Sequence, residues 1–191
     1  MKKSHLPFDL YGGESPDFIL LDVNTELAIG LEHTKATVEK FKMDESEAKK
    51  YPPGSLIELP HYSVKSSPPK KSSEAIKKPG EKLTHSGWGD YGIEKQWSDI
   101  VLKTMTDKIE LLNKPHFKKC SKNTLLIDDD SPSPVSIDYR LKSSLDMLKS
   151  KYFARKFGKS VLYDKYHILM GCNLIYDVFG EAIIIENKKS A

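Results

Sequence analysis

Two carboxylates, Asp17 and Glu32, stand at the outer ends of two short apolar runs in the stretch ESPDFILLDVNTELAIGLEHTK, residues 14–35. The runs, 17–22 and 27–34, read as β-strands joined at VNTE. A loop of two or four residues centred between Asn24 and Thr25 sets Asp17 directly opposite Glu32. Opposed Cβ atoms on antiparallel strands lie roughly 4.5–5.5 Å apart. Side-chain alternation then puts Asp17, Ile19, Leu21, Ala28, Gly30, Glu32 and Thr34 on one face. Phe18, Leu20, Leu27, Ile29, Leu31 and His33 take the other, which is expected to pack into the core. Like charges opposed across a sheet repel, and a cation between them relieves the repulsion. Two carboxylate oxygens with positions left for water suit Mg²⁺ or Mn²⁺. A register slipped by one residue would keep the acids apart.

A lysine bears on the same chemistry. In IEKQWSDIVLKTMTDKIELLN, residues 93–113, Ile93, Trp97, Val101, Thr104, Met105 and Leu112 form one helical stripe. Lys108 lies within about 20° of Trp97 on that wheel. An ammonium on an apolar face either snorkels to the helix end or pairs with a buried carboxylate. Asp17 and Glu32 are candidate partners, and Asp128 of NTLLIDDD is a rival.

These residues need elements to hold them. Residues 1–13 read as a lead-in with one helical turn near Phe8–Leu10. Residues 35–50 are helix-compatible. Residues 51–92 are irregular, broken by YPPG, SSPPKKSS and GWGDYG. Residues 123–130 read as a buried strand ending in acids, and a helix starts near Val135. Short strands are expected at Val161–Tyr163, Leu174–Val178 and Ala182–Ile185. The order hairpin, helix, strand, helix, strands indicates an α/β or mixed α+β core. It is expected to form a single domain over 1–191, with 36–92 as an insertion.

The net charge is +3, from 30 Lys plus Arg and 27 Asp plus Glu. That permits a nucleic-acid partner without demanding one. No apolar run approaches the roughly 20 residues of a membrane span, so no membrane partner is expected. The start MKKSHLPFDLYGG lacks the apolar region of a secretory signal. Cys120 and Cys172 have no metal-type spacing. They read as free thiols in a reducing cytoplasm, a single disulfide in a secreted protein being the other reading. The loop at 61–82 is rich in lysine. Lys70, Lys71, Lys77 and Lys78, with Trp88 beyond, read either as a phosphate-contacting flap with a stacking ring or as a solvated loop. Lys149–Lys159 is a second basic track open to the same two readings.

SPDFIL, with its Pro16-Asp17 pair, AIGLEHT with Glu32, and the tryptophan- and lysine-bearing helix before NTLLID together resemble the PD-(D/E)XK nuclease superfamily. The resemblance covers roughly residues 10–35 and 93–130. It implies a restriction-endonuclease-like α/β core, a central mixed sheet flanked by helices, and metal-dependent hydrolysis of phosphodiester bonds, in DNA ahead of RNA. It implies Mg²⁺ (or Mn²⁺) held by Asp17, Glu32 and the backbone carbonyl of His33. One departure stands out. The family motif places its lysine two residues after the glutamate, where this chain has Thr34. Lys35, one residue on, or Lys108 from the helix would take the lysine's part, with Thr34 hydrogen-bonding a water or phosphate. A homodimer or a partner protein is compatible with this reading. Two alternatives stand beside it. One is an inactive member that binds nucleic acid or protein. The other is an unrelated α/β interaction module.

Overall fold

The computed structural model describes residues 8–58, 71–82, 92–131, 135, 138–170, 174–180 and 182–184. The architecture is α/β. Strands β1 (Phe8–Gly12), β2 (Phe18–Asp22), β3 (Ala28–Ala36), β6 (Lys122–Asp129), β7 (Lys165–Met170), β8 (Leu174–Asp177) and β9 (Ala182–Ile184) form one seven-stranded sheet in the order β1-β2-β3-β6-β7-β8-β9. β6 and β7 pair in parallel, and β1–β2, β2–β3, β7–β8 and β8–β9 pair antiparallel, so the sheet is mixed. The remaining elements are α1 (Glu39–Ala48), β4 (Leu56–Ile57), α2 (Ser72–Ala75), β5 (Ile76–Lys77), α3 (Gly92–Leu112) and α4 (Asp138–Ala154).

The chain divides into two compact units. The first comprises 1–35, 104–129 and 155–191, and holds the sheet and the last turns of α3. The second comprises 36–103 and 130–154, and holds α1, α2, α4, the first turns of α3 and the antiparallel β4–β5 ribbon. The expected insertion at 36–92 therefore does not stand alone. It shares its unit with residues from α3 and α4.

The β2–β3 hairpin has the register read from the sequence. Phe18 pairs with Leu31, Ile19 with Gly30, Leu20 with Ile29 and Leu21 with Ala28. The Asp22 N–H donates to the Leu27 carbonyl at 3.1 Å, closing a four-residue loop over Val23–Glu26. Asp22 Oδ1 accepts the Asn24 N–H at 2.8 Å and the Thr25 N–H at 3.2 Å, a side-chain turn that Asp favours.

The apolar face of this hairpin is not the more deeply buried of the two. Gly30 and Glu32, on the carboxylate face, are buried, whereas Phe18 on the apolar face is 40 % exposed and Leu20, Ile29 and Leu31 are half-buried. Gly30 explains the difference. A Cβ there would lie 3.0 Å from Pro16 Cγ, 3.1 Å from Asn123 Oδ1 and 3.2 Å from Cys120 Sγ. The absent side chain lets the neighbouring chain close over that face, a use of glycine that hydropathy does not report.

The α3 stripe is buried at Ile93, Trp97, Val101, Met105 and Leu112, with Ile100 and Ile109 added; Thr104 is half-buried. Asn113 ends the helix by donating from Nδ2 to the Ile109 carbonyl at 2.7 Å, and Pro115 prevents continuation. α4 buries Leu141, Ser144, Leu148 and Tyr152, a helical spacing facing one side.

Two expectations need correction. The helical turn near Phe8–Leu10 is instead β1, paired residue for residue with β2. Val161–Tyr163 is not a strand. Its backbone is engaged by side chains: Asn113 Nδ2 donates to the Val161 carbonyl, Asn113 Oδ1 accepts the Val161 N–H, and Tyr166 Oη accepts the Tyr163 N–H. The strand lies just beyond, at β7, whose Tyr166 and Ile168 are buried.

Candidate functional site

Asp17 is the last residue before β2, and Glu32 sits in β3. Continuing the observed register sets the two directly opposite. The hydrogen-bonded rows of this ladder alternate with non-bonded ones. The bonded Asp22–Leu27 row fixes the phase, so the row beyond Phe18–Leu31 to carry bonds would be Pro16 with His33. Proline has no N–H to give. Asp17 takes over the row instead, its Oδ2 accepting the His33 N–H at 2.7 Å. In an extended strand the N–H and C=O of one residue face the same neighbour. The His33 carbonyl therefore faces the Asp17 side without a ladder donor from Pro16. The Pro-Asp pair opens the end of the ladder and fills half of the opening with a carboxylate.

Glu32 is 2 % exposed. Lys108 Nζ donates to Glu32 Oε1 at 2.6 Å, and Glu32 Oε2 is buried with no hydrogen-bond partner. The Lys108 side chain keeps 23 % exposure, whereas its carboxylate partner is almost fully buried. Among the described residues Asp17 Oδ1 also has no protein partner. Two oxygens, one from each carboxylate, are thus left free at one place on the sheet.

Tyr163 completes the cluster and was not picked out in the sequence. It is 4 % exposed, and its hydroxyl donates to the Lys108 carbonyl at 3.3 Å. Burial, reinforced by the neighbouring Glu32 and Asp17 carboxylates, pushes its phenol well above the usual range, so it stays a neutral donor. No sequence pattern near Tyr163 announces this role; the β6–β7 pairing brings it here.

The other candidate residues separate. Lys35 Nζ lies 3.8 Å from Asp128 Oδ2, and the Lys35 side chain is 57 % exposed. The rivalry between carboxylates is therefore resolved: Lys108 pairs with Glu32, and Lys35 is the residue beside Asp128. Thr34 is half-buried and His33 contributes its backbone N–H. Lys71, Lys77 and Lys78 belong to the second unit, whereas Asp17, Glu32 and Lys108 belong to the first. Lys77 corrects an expectation, since its side chain is only 14 % exposed and faces Glu58 at 3.9 Å rather than solvent. Lys71 and Lys78 are exposed, while Lys70 and Trp88 lie outside the described residues. In the second basic track Lys151 is engaged internally by Asp99 and Ser98, each at 2.7 Å.

A different basic segment borders the carboxylates. Between Leu112 and Asn123 stand Lys114, His116, Lys118, Lys119 and Lys122, all exposed and with no acid among them. The loop is tied down next to Asp17, the Lys118 N–H donating to the Ser15 carbonyl at 3.2 Å. The acid-free run is visible in the sequence and is the signal that finds it.

The fit to a divalent ion follows from the donors. The described residues contain no group of three or more His, Cys, Asp and Glu that could hold a metal, which leaves two carboxylates and a carbonyl. That set is too poor for a closed all-protein site but suits Mg²⁺ or Mn²⁺, hard ions that keep several waters. The partnerless buried Oε2 of Glu32 is the observation in favour. Among the described residues no helix is long and apolar enough to cross a membrane. Cys120 is a free thiol, raised in pKa chiefly by burial, and Cys172 lies outside the described residues. Comparison with protein-family models, with curated proteins and with solved structures finds no match to this chain.

Proposed function

We propose that this chain is a divergent, metal-dependent phosphodiesterase of restriction-endonuclease-like fold that cleaves nucleic acid, DNA ahead of RNA. The single observation that carries the reading is the Lys108–Glu32 contact at 2.6 Å. It supplies, from a helix, the lysine that the strand lacks at Thr34. The mixed sheet and the opposed Asp17 and Glu32 agree with the same reading.

Asp17 Oδ1, Glu32 Oε2 and the His33 carbonyl would hold the ion. An Mg²⁺ or Mn²⁺ ion held by these groups would supply Lewis-acid polarisation of a phosphodiester oxygen and a lowered pKa for a bound water. Lys108 holds Glu32 in place and presents positive charge where negative charge grows on the phosphate. Tyr163 fixes the α3 turn that carries Lys108. Asp17 has two tasks, since one oxygen caps the β3 ladder and the other is free.

A second reading is favoured by the same contact. Lys108 already neutralises Glu32 without an ion, as a retired active site would. In that case the fold serves as a binding module. Incubating the protein with plasmid DNA and with RNA in Mg²⁺, Mn²⁺ or EDTA separates the two. The nuclease reading expects degradation that EDTA stops and Asp17→Asn abolishes. No degradation under any metal condition rejects it.

A further inference from the structure

A cavity of about 480 Å³ lies on the sheet face that carries Asp17 and Glu32. Its floor is Ile19, Leu21 and Ala28, and its rim is Tyr11 with Lys118 and Lys119. The register orders the face. Ile19 and Gly30 form the row next to Asp17 and Glu32, and Leu21 and Ala28 form the row after. Successive rows on one face are roughly 7 Å apart. Tyr11 stands directly opposite Ile19 on the same face, and it is 52 % exposed.

We propose that this groove holds the unpaired strand of a nucleic acid alongside the Asp17–Glu32 site, with Tyr11 stacking a base and Lys118 and Lys119 contacting phosphates. The proposal deepens the nuclease reading and rests on it for the strand's lying beside the carboxylates. Three features argue for this occupant. The apolar floor and the volume fall within the range of small-molecule pockets, about 300–1,000 Å³, which leaves room for a base. The rim lysines belong to the acid-free basic loop, and their ammonium groups suit contact with a phosphate chain. A duplex stacks its bases on one another and offers only their edges in its grooves. An exposed ring at a groove rim therefore stacks on an unpaired base.

The test uses the full chain in EDTA, so that binding is read without cleavage. Labelled single-stranded DNA and RNA of about 12 nucleotides, and the matching duplex, are titrated by fluorescence anisotropy across a salt series. Single strands are expected to bind more tightly than the duplex. Tyr11→Ala is expected to weaken single-strand binding roughly tenfold. Lys118→Gln combined with Lys119→Gln should weaken it further and flatten the log–log salt slope by about 1.4, two phosphate contacts' worth. Circular dichroism melts confirm that each variant is folded; if Tyr11→Ala is not, the lysine pair decides alone. Preferential binding of either DNA or RNA single strands supports the groove and identifies its strand. Equal or tighter duplex binding, no binding at low salt, or variants that bind like wild type overturn it. A parallel assay with Mn²⁺ separates the two claims. Single strands bound through Tyr11 and the lysines but never cut leave the groove standing and remove the nuclease reading. Cutting abolished by Asp17→Asn but indifferent to Tyr11 and the lysines does the reverse.

Discussion

Lys108 Nζ meets Glu32 Oε1 at 2.6 Å across 76 residues of sequence. The contact joins helix α3 to strand β3 within one compact unit. It leaves one Glu32 oxygen compensated and the other bare. Its energetic sign follows from burial. Removing one partner of a buried pair strands the other's charge, and fully buried pairs lose about 3–5 kcal/mol in this way. Lys108→Met is expected to lose about 2 kcal/mol, less than that range because the ammonium is partly exposed. The double variant Lys108→Met with Glu32→Leu should recover most of the loss. Urea unfolding of wild type and the two variants reads both, and a Lys108→Met protein as stable as wild type would mean that the pair carries no weight.

The two tasks of Asp17 come apart by substitution. Asp17→Asn keeps an oxygen to accept the His33 N–H but removes the charge. Stability should change by less than about 1 kcal/mol while cleavage disappears. Asp17→Ala loses the bond as well and should cost about 1–2 kcal/mol more, since bonds to a charged group lie at the upper end of the range. Equal stability of the two variants would show that the ladder cap is unimportant.

Gly30 lets the neighbouring chain close over the carboxylate face. Gly30→Ala forces a Cβ to 3.0–3.2 Å from Pro16, Asn123 and Cys120, only part of which can yield. Overpacking of this kind costs about 1–3 kcal/mol. Because Pro16 precedes Asp17, the variant should also lower cleavage more than its melting temperature suggests. Thermal melts and cleavage rates measured together check this.

His167 supplies a pH dependence. Burial lowers its pKa below the ordinary value of about 6.5, helped by Lys165 and opposed by Asp177, which stands opposite it in the sheet. The folded protein thus binds a proton less readily than the unfolded chain. Stability should fall as pH drops below about 6.5, through the window between the unfolded and folded values. His167→Gln should flatten that part of a melting-temperature profile. An unchanged profile would remove His167 as its source.

How much of this was legible in the sequence depends on the range over which the residues act. The β2–β3 register was legible because period-two alternation and a short turn fix it locally. Lys108 was legible because helical phase places it among apolar residues whatever it pairs with. The partner was not, since Asp17, Glu32 and Asp128 all offered carboxylates, and only the strand order decides for Glu32. Tyr163 was invisible for the same reason, because a parallel β6–β7 pairing brings it to the site. β1 was missed because a five-residue edge strand carries little periodicity of its own. The buried face was misjudged because hydropathy counts side chains, and at Gly30 it is a missing side chain that permits burial.

The central claim is that Asp17 and Glu32 together hold one divalent ion. A Mn²⁺ titration followed by electron paramagnetic resonance tests it without any substrate, on wild type, Asp17→Asn and Glu32→Gln. The account predicts one site per chain in wild type and loss of that site in either variant. No bound Mn²⁺ in wild type, or a site that survives both substitutions, would contradict it.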